Sequence, residues 1–177
     1  MSLSMYQASI PVFIRALNVL TTLLQKGAQH AKEQGLPPES LLEARLAPDM
    51  FTLVGQVQRA SDTSKGTAER LSGVPAPRMP DTESTFEELY ARITKTVEYL
   101  KSIDPARFEG CETRAVQLQA GPDTKIDFQG DDYLLSFGLP NFYFHVTTAY
   151  DILRHRGVQV GKRDFLGAIG NRSTSAA

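Results

Sequence analysis

The sequence predicts an all-α domain: a four-helix bundle with one small β-hairpin ahead of the last long helix. Three observations carry this. Apolar residues recur at spacings of three and four in four separate segments. Proline and glycine punctuate the joins between those segments. Ahead of the last segment the apolar period drops to two.

The first segment is residues 3–34, with Ile10, Phe13, Ile14, Leu17, Leu20, Leu24 and Ala28 on one face. Pro11 either kinks its first turns or marks its start. Gly35 and Pro37 end it, and His30 near its end reads as a solvated residue favoured by the helix dipole. Residues 36–48 form a linker in which Ser40–Glu43 can make one helical turn. A second long helix is predicted to open at Pro48 or Asp49. Met50 or Phe51, Leu53, Val54, Val57, Ala60, Ala68 and Leu71 mark its stripe, and Gly73 stops it. The stretch "VPAPRMP" then reads as a rigid connection. The third helix follows a cap at Ser84 or Thr85, with a capping-box spacing from Ser84 to Glu87. Phe86, Leu89, Ile93, Val97 and Leu100 are its buried face.

"TRAVQLQ" and "TKIDFQG" alternate, and "AGPDT" between them is turn chemistry, so residues 113–129 read as a β-hairpin. A lone hairpin needs something to pack on, here the helices. The fourth helical unit spans 130–155, is predicted to break at Gly138 and Pro140, and stops at Gly157. The domain is expected to cover residues 1–169, with 170–177 a disordered tail.

The totals exclude several classes. The chain has 177 residues, 41% hydrophobic and 22% charged, enough for one sizeable core and short for two. A net charge of -1 argues against a nucleic-acid binder. Cys111 is the sole cysteine, so no internal disulfide can form, no CxxC supports redox chemistry, and a cytoplasmic location is expected. No export signal is legible at the N-terminus, and no long uninterrupted apolar run predicts a membrane span.

The chemistry-bearing residues are few. The sequence has no Gly-rich phosphate loop and no GxSxG elbow. Glu87–Glu88 and Asp131–Asp132 are sequence neighbours that point apart on a helix, as solvated or capping residues do. His145 and His155 lie ten positions apart in "PNFYFHVTTAYDILRHRG". On a straight helix that separates them by roughly 280° and about 15 Å, so they cannot share one ion. His145 is then a satisfied buried histidine, a pocket residue or a ligand. Gln56 sits on or beside an apolar face, where an amide must find a partner. Asp49, Gln56 and His145 could meet in the bundle interior, where facing helices build sites. Tyr143 and Tyr150 are packing or pocket residues, Asn141 a cap for the last helix, and Arg45 and Asp49 an ion pair at a helix entry. Of Gln56, Arg59 and Asp62, only one face can turn inward.

Three segments in order, "EARLAPDMFTLVGQVQRASD", "DTESTFEELYARITKT" and "LPNFYFHVTTAYDILRHRGVQVGKRDFLG", resemble DUF1993, a bacterial and fungal family of unknown function. The resemblance covers residues 5–167. It implies kinship with the DinB/YfiT-like metalloenzyme superfamily and its four-helix bundle. That group includes metal-dependent thiol transferases, a thiol-dependent maleylpyruvate isomerase and damage-induced proteins. Its relatives take one histidine from the second helix and an HxxxH pair from the last. By motif those positions are Gln56, His145 and Ala149 here. The resemblance therefore implies a degenerate metal site: no cofactor is expected, and zinc or nickel is the ion such a site would take. Together with the residue reading, an uncharacterised DinB-like bundle is expected, with a small-molecule site lined by Asp49, Gln56, His145 and Tyr150 and a homodimeric assembly. The alternative is a thiol-dependent transferase or isomerase with His145 as its catalytic residue.

Overall fold

The computed structural model describes residues 3–119 and 121–168. Helix α1 runs Met5–Glu33, a short α2 Glu39–Leu42, α3 Leu53–Ser72 and α4 Phe86–Ser102. Two 3₁₀ turns, Pro105–Phe108 and Cys111–Thr113, lead to β1 (Ala115–Gln119) and β2 (Lys125–Gln129). Then come α5 (Gly130–Asp132), a wide-turned segment Tyr133–Gly138, α6 (Leu139–His155) and α7 (Lys162–Leu166). Helices α1, α3, α4 and α6 form the bundle. Each of α1 and α3 packs on both α4 and α6, and the α3–α6 seam is the most extensive. The tail predicted for 170–177 lies outside the described residues.

Helix α1 starts at a Ser4 cap whose box is closed by Gln7, and Pro11 is carried inside it. At its end Gly35 takes φ +62°, and Leu36 N donates to Ala31 O, which satisfies a carbonyl the helix leaves open. By length and composition α1 could cross a membrane, although it contains no long unbroken apolar run. Its stripe, Ile10, Phe13, Leu17, Leu20 and Leu24, is fully buried in the bundle.

One helix start differs from the prediction, and a second takes one of the two predicted caps. Helix α3 begins at Leu53, not at Pro48 or Asp49, because Thr52 caps it by accepting from Gly55 N at 3.2 Å. Asp49 is left in an exposed turn, and Phe51 lies outside the stripe, 55% exposed. Helix α4 takes Thr85 as cap, with Glu88 closing the box. The Glu88 carboxylate also accepts from Ser84 N at 2.7 Å, so both candidate caps share one acid.

The hairpin pairs Val116 with Phe128 and Leu118 with Ile126. Val116 and Leu118 are buried, and the Phe128 ring meets Tyr133 edge-on at 5.9 Å, so the strands do close one side of the helices. The break predicted at Gly138 and Pro140 does not occur. Pro140 has no N–H to give and crowds the carbonyl four residues back. The chain responds by widening its turns: Leu139 N donates to Leu134 O, five residues back, and the helix continues.

Candidate functional site

The α3–α6 seam brings together two of the residues singled out from sequence. His145 is 7% exposed and Gln56 1%. His145 Nδ1 lies 2.8 Å from Gln56 Oε1. Gln56 Nε2 donates to Phe51 O at 3.3 Å, which fixes the amide's orientation. A carbonyl oxygen only accepts, so Nδ1 carries the proton and Nε2 keeps a lone pair. Among the described residues, Ser40 Oγ and Arg92 Nε are the fully buried side-chain polar atoms without a partner. His145 Nε2 is not one of them and has no partner there, so it reaches the surface.

Burial, with the Arg59 guanidinium adding to it, holds the imidazole down at about 4 against an ordinary 6.5. His145 is therefore neutral at physiological pH. Two rings flank it. Phe144 meets it edge-on at 5.3 Å, and Phe51 is tilted against it at 6.4 Å. Both rings are more than half exposed. Phe51 can fold back over the first turn of α3 because position 55 is glycine: a Cβ there would stand 3.0 Å from Phe51 Cβ. Arg59 then sits 6.0 Å from the Phe51 ring.

The other sequence candidates lie apart from this pair. Asp49 is exposed, and Arg45 reaches the Pro48 carbonyl at 3.4 Å instead of pairing with it. Tyr150 is half-buried and packs edge-on against Phe165 of α7 at 5.7 Å. Asn141 does not cap α6; its Nδ2 donates to Thr63 Oγ1 at 2.9 Å across the seam. Ala149, one turn beyond His145, is fully buried and offers no donor. His155 is exposed at the end of α6, and His30 is half-buried near the end of α1. Cys111 is fully buried, and burial pushes its thiol pKa up. Among the described residues no three of His, Cys, Asp and Glu gather as a metal-binding group. The larger grooves open elsewhere, under α7, between α1 and α4, and beneath the 76–80 segment. None of these grooves is lined by Gln56 or His145.

A second polar cluster was missed in the sequence. The Arg92 side chain, 1% exposed, pairs with Asp62 at 2.8 Å, Asp81 at 3.0 Å and Glu83 at 2.9 Å. It also donates to Pro80 O at 3.1 Å. Lys65 and Arg59 bond Asp62 at 2.8 and 2.9 Å, Arg59 also bonds Asp81, and Gln58 Nε2 donates to Glu83 at 2.9 Å. Burial pushes the Glu83 carboxyl up, but the hydrogen bonds from Gln58 and Arg92 win and hold it below its ordinary value. So α3 divides its polar residues: Gln56 turns to α6, while Arg59 and Asp62 turn to the 73–84 segment and α4. The available signal was the place of Arg92 beside Ile93 and three past Leu89, on the buried stripe of α4.

The profile of a family described as a domain of unknown function, DUF1993, matches residues 5–166. Among solved structures, the crystal structure of a DinB family member protein from Shewanella denitrificans is 36% identical. The match covers 95% of this chain and 94% of that one, with a TM-score of 0.86. No curated protein matches.

Proposed function

We propose, for a chain that belongs to the DUF1993 family of DinB-like helical bundles, that it binds a small molecule at the Gln56–His145 pair without using a metal. The 2.8 Å bond between the two side chains carries this reading. It commits the amide oxygen to the imidazole, sets the tautomer and leaves Nε2 as an outward acceptor. A buried polar pair that is only partly satisfied within the protein is where a ligand completes the hydrogen bonding.

The metal implied by the superfamily resemblance does not fit the residues present. Its three positions hold a glutamine whose oxygen is already bonded, an alanine and one histidine. Tight zinc binding needs three or four nitrogen, sulfur or carboxylate donors, and one imidazole does not supply them. The second reading, a thiol-dependent transferase or isomerase, draws on the same free Nε2, which could accept a substrate proton. A base with a pKa near 4 is poorly matched to proton abstraction at neutral pH, so binding is the better supported role.

The test follows His145 by NMR through a pH titration of untagged protein, with metal content measured on the same chelator-free preparation. The expected result is a Nδ1–H imidazole that stays neutral until about pH 4, with little metal. Near-stoichiometric zinc or nickel that is lost in His145→Ala would overturn it.

A further inference from the structure

We infer that the molecule taken at His145 is a neutral aromatic compound carrying one hydrogen-bond donor, of the phenol class. The inference rests on the binding reading above and follows from what the site has left to offer. Gln56 accepts from His145 Nδ1 and donates to Phe51 O, and at 1% exposed its second N–H and second lone pair are out of a ligand's reach. Nδ1 is spent on Gln56. His145 Nε2 is the polar atom that remains, and a lone pair asks its ligand for a donor.

Charge narrows the class further. Arg59 is the cation that acts on His145, and its guanidinium already bonds Asp62 and Asp81. In that cluster three cations, Arg59, Lys65 and Arg92, face three carboxylates, Asp62, Asp81 and Glu83. No charge is left over there to attract an ion. An anionic oxygen brings no proton to Nε2, and a cation finds no carboxylate there that is not already paired. A desolvated ion without a partner is costly, so a neutral donor is favoured over either.

The apolar body is specified by the walls. Phe51 is 55% and Phe144 56% exposed, on two flanks of one imidazole. Exposed rings beside a polar atom at the surface suit an aromatic guest, which gains from edge-to-face or offset contact beyond its area. With one hydrogen bond and two open rings, the dissociation constant is expected on the order of millimolar.

The experiment titrates labelled full-length protein at pH 7.5 with phenol, toluene and benzoate, read by NMR at the His145 Nε2 resonance and the Phe51 and Phe144 rings. Phenol is expected to bind about tenfold tighter than toluene, the share of one net hydrogen bond, and benzoate more weakly than phenol. His145→Phe should erase the preference for phenol over toluene, and Phe144→Ala should weaken both alike. Equal binding of phenol and toluene by the unmutated protein overturns the inference, as does tighter benzoate. These comparisons need no variant to fold. If phenol fails while His145 still shows the Nδ1–H form and protonates near pH 4, the ligand class falls and the acceptor site stands. If His145 carries its proton on Nε2, both fall.

Discussion

Helix α3 carries two polar clusters on two of its flanks, and they are built oppositely. The Arg92 cluster answers each charge with an opposite one: one buried guanidinium gathers three carboxylates, and Arg59 and Lys65 complete the balance. Its work is to pin the 73–84 segment across α3 and α4. The Gln56–His145 pair is neutral, has a single strong internal bond and keeps one acceptor facing outward. A cluster with nothing left over holds a fold together. A pair that keeps one acceptor at the surface adds little to that hold, and it is the pair for which binding is proposed.

The contrast can be broken first at Arg92. Arg92→Met leaves Glu83 without its cation, and because Arg59 and Lys65 still hold Asp62 and Asp81 the cost should fall at the low end for breaking a buried pair, about 3 kcal/mol. Urea unfolding should show that loss, with the His145 NMR signature retained in the protein that remains folded. An equally stable variant would mean the cluster is not structural.

Acid should act next, and through the other cluster. The folded pKa of His145 is about 4, below its ordinary 6.5. The unfolded chain therefore binds the proton first as pH falls. The stability that the neutral imidazole contributes is full above pH 6.5 and is lost between 6.5 and about 4. A depression of this size corresponds to roughly 3 kcal/mol. Unfolding measured at pH 7.5 and 4.5 should show that drop in the unmutated protein and less of it in His145→Phe.

The smallest effect sharpens the comparison most. Gln56→Glu puts a carboxylate where an amide oxygen now accepts from Nδ1. An opposite charge favours the imidazolium, so the His145 pKa should rise by at least about one unit, roughly 1.4 kcal/mol. NMR titration checks the direction. A pKa that stays near 4 would show that residue 56 does not govern the imidazole.

Much of the fold was legible because burial repeats along each helix. Ile10, Phe13, Leu17 and Leu20 announce their face by spacing alone, and the alternation around Val116 and Leu118 announces the hairpin. Helix starts were less legible, since Asp49 and Thr52 are both sound caps and only the path of the preceding loop chooses between them. The pairing of Gln56 with His145 was anticipated as a meeting on facing helices, but its geometry depends on the α3–α6 seam. The Arg92 cluster was hidden for a different reason. Its acids come from Asp62 on α3 and from Asp81 and Glu83 on an irregular segment, which no period describes.

The wide turn at Tyr133–Gly138 sets the aim of the imidazole from a distance. A π-type turn holds about one residue more than an α turn. Deleting one residue there would restore ordinary spacing and swing the two parts of this helical unit about 100° relative to each other. With Tyr133 and the hairpin held in place, His145 would leave Gln56 and point along the bundle surface. The length of a six-residue segment, Tyr133–Gly138, thus works as a rotational index for a side chain two turns downstream of it. Insertions and deletions there would retune the site while leaving every residue in it unchanged.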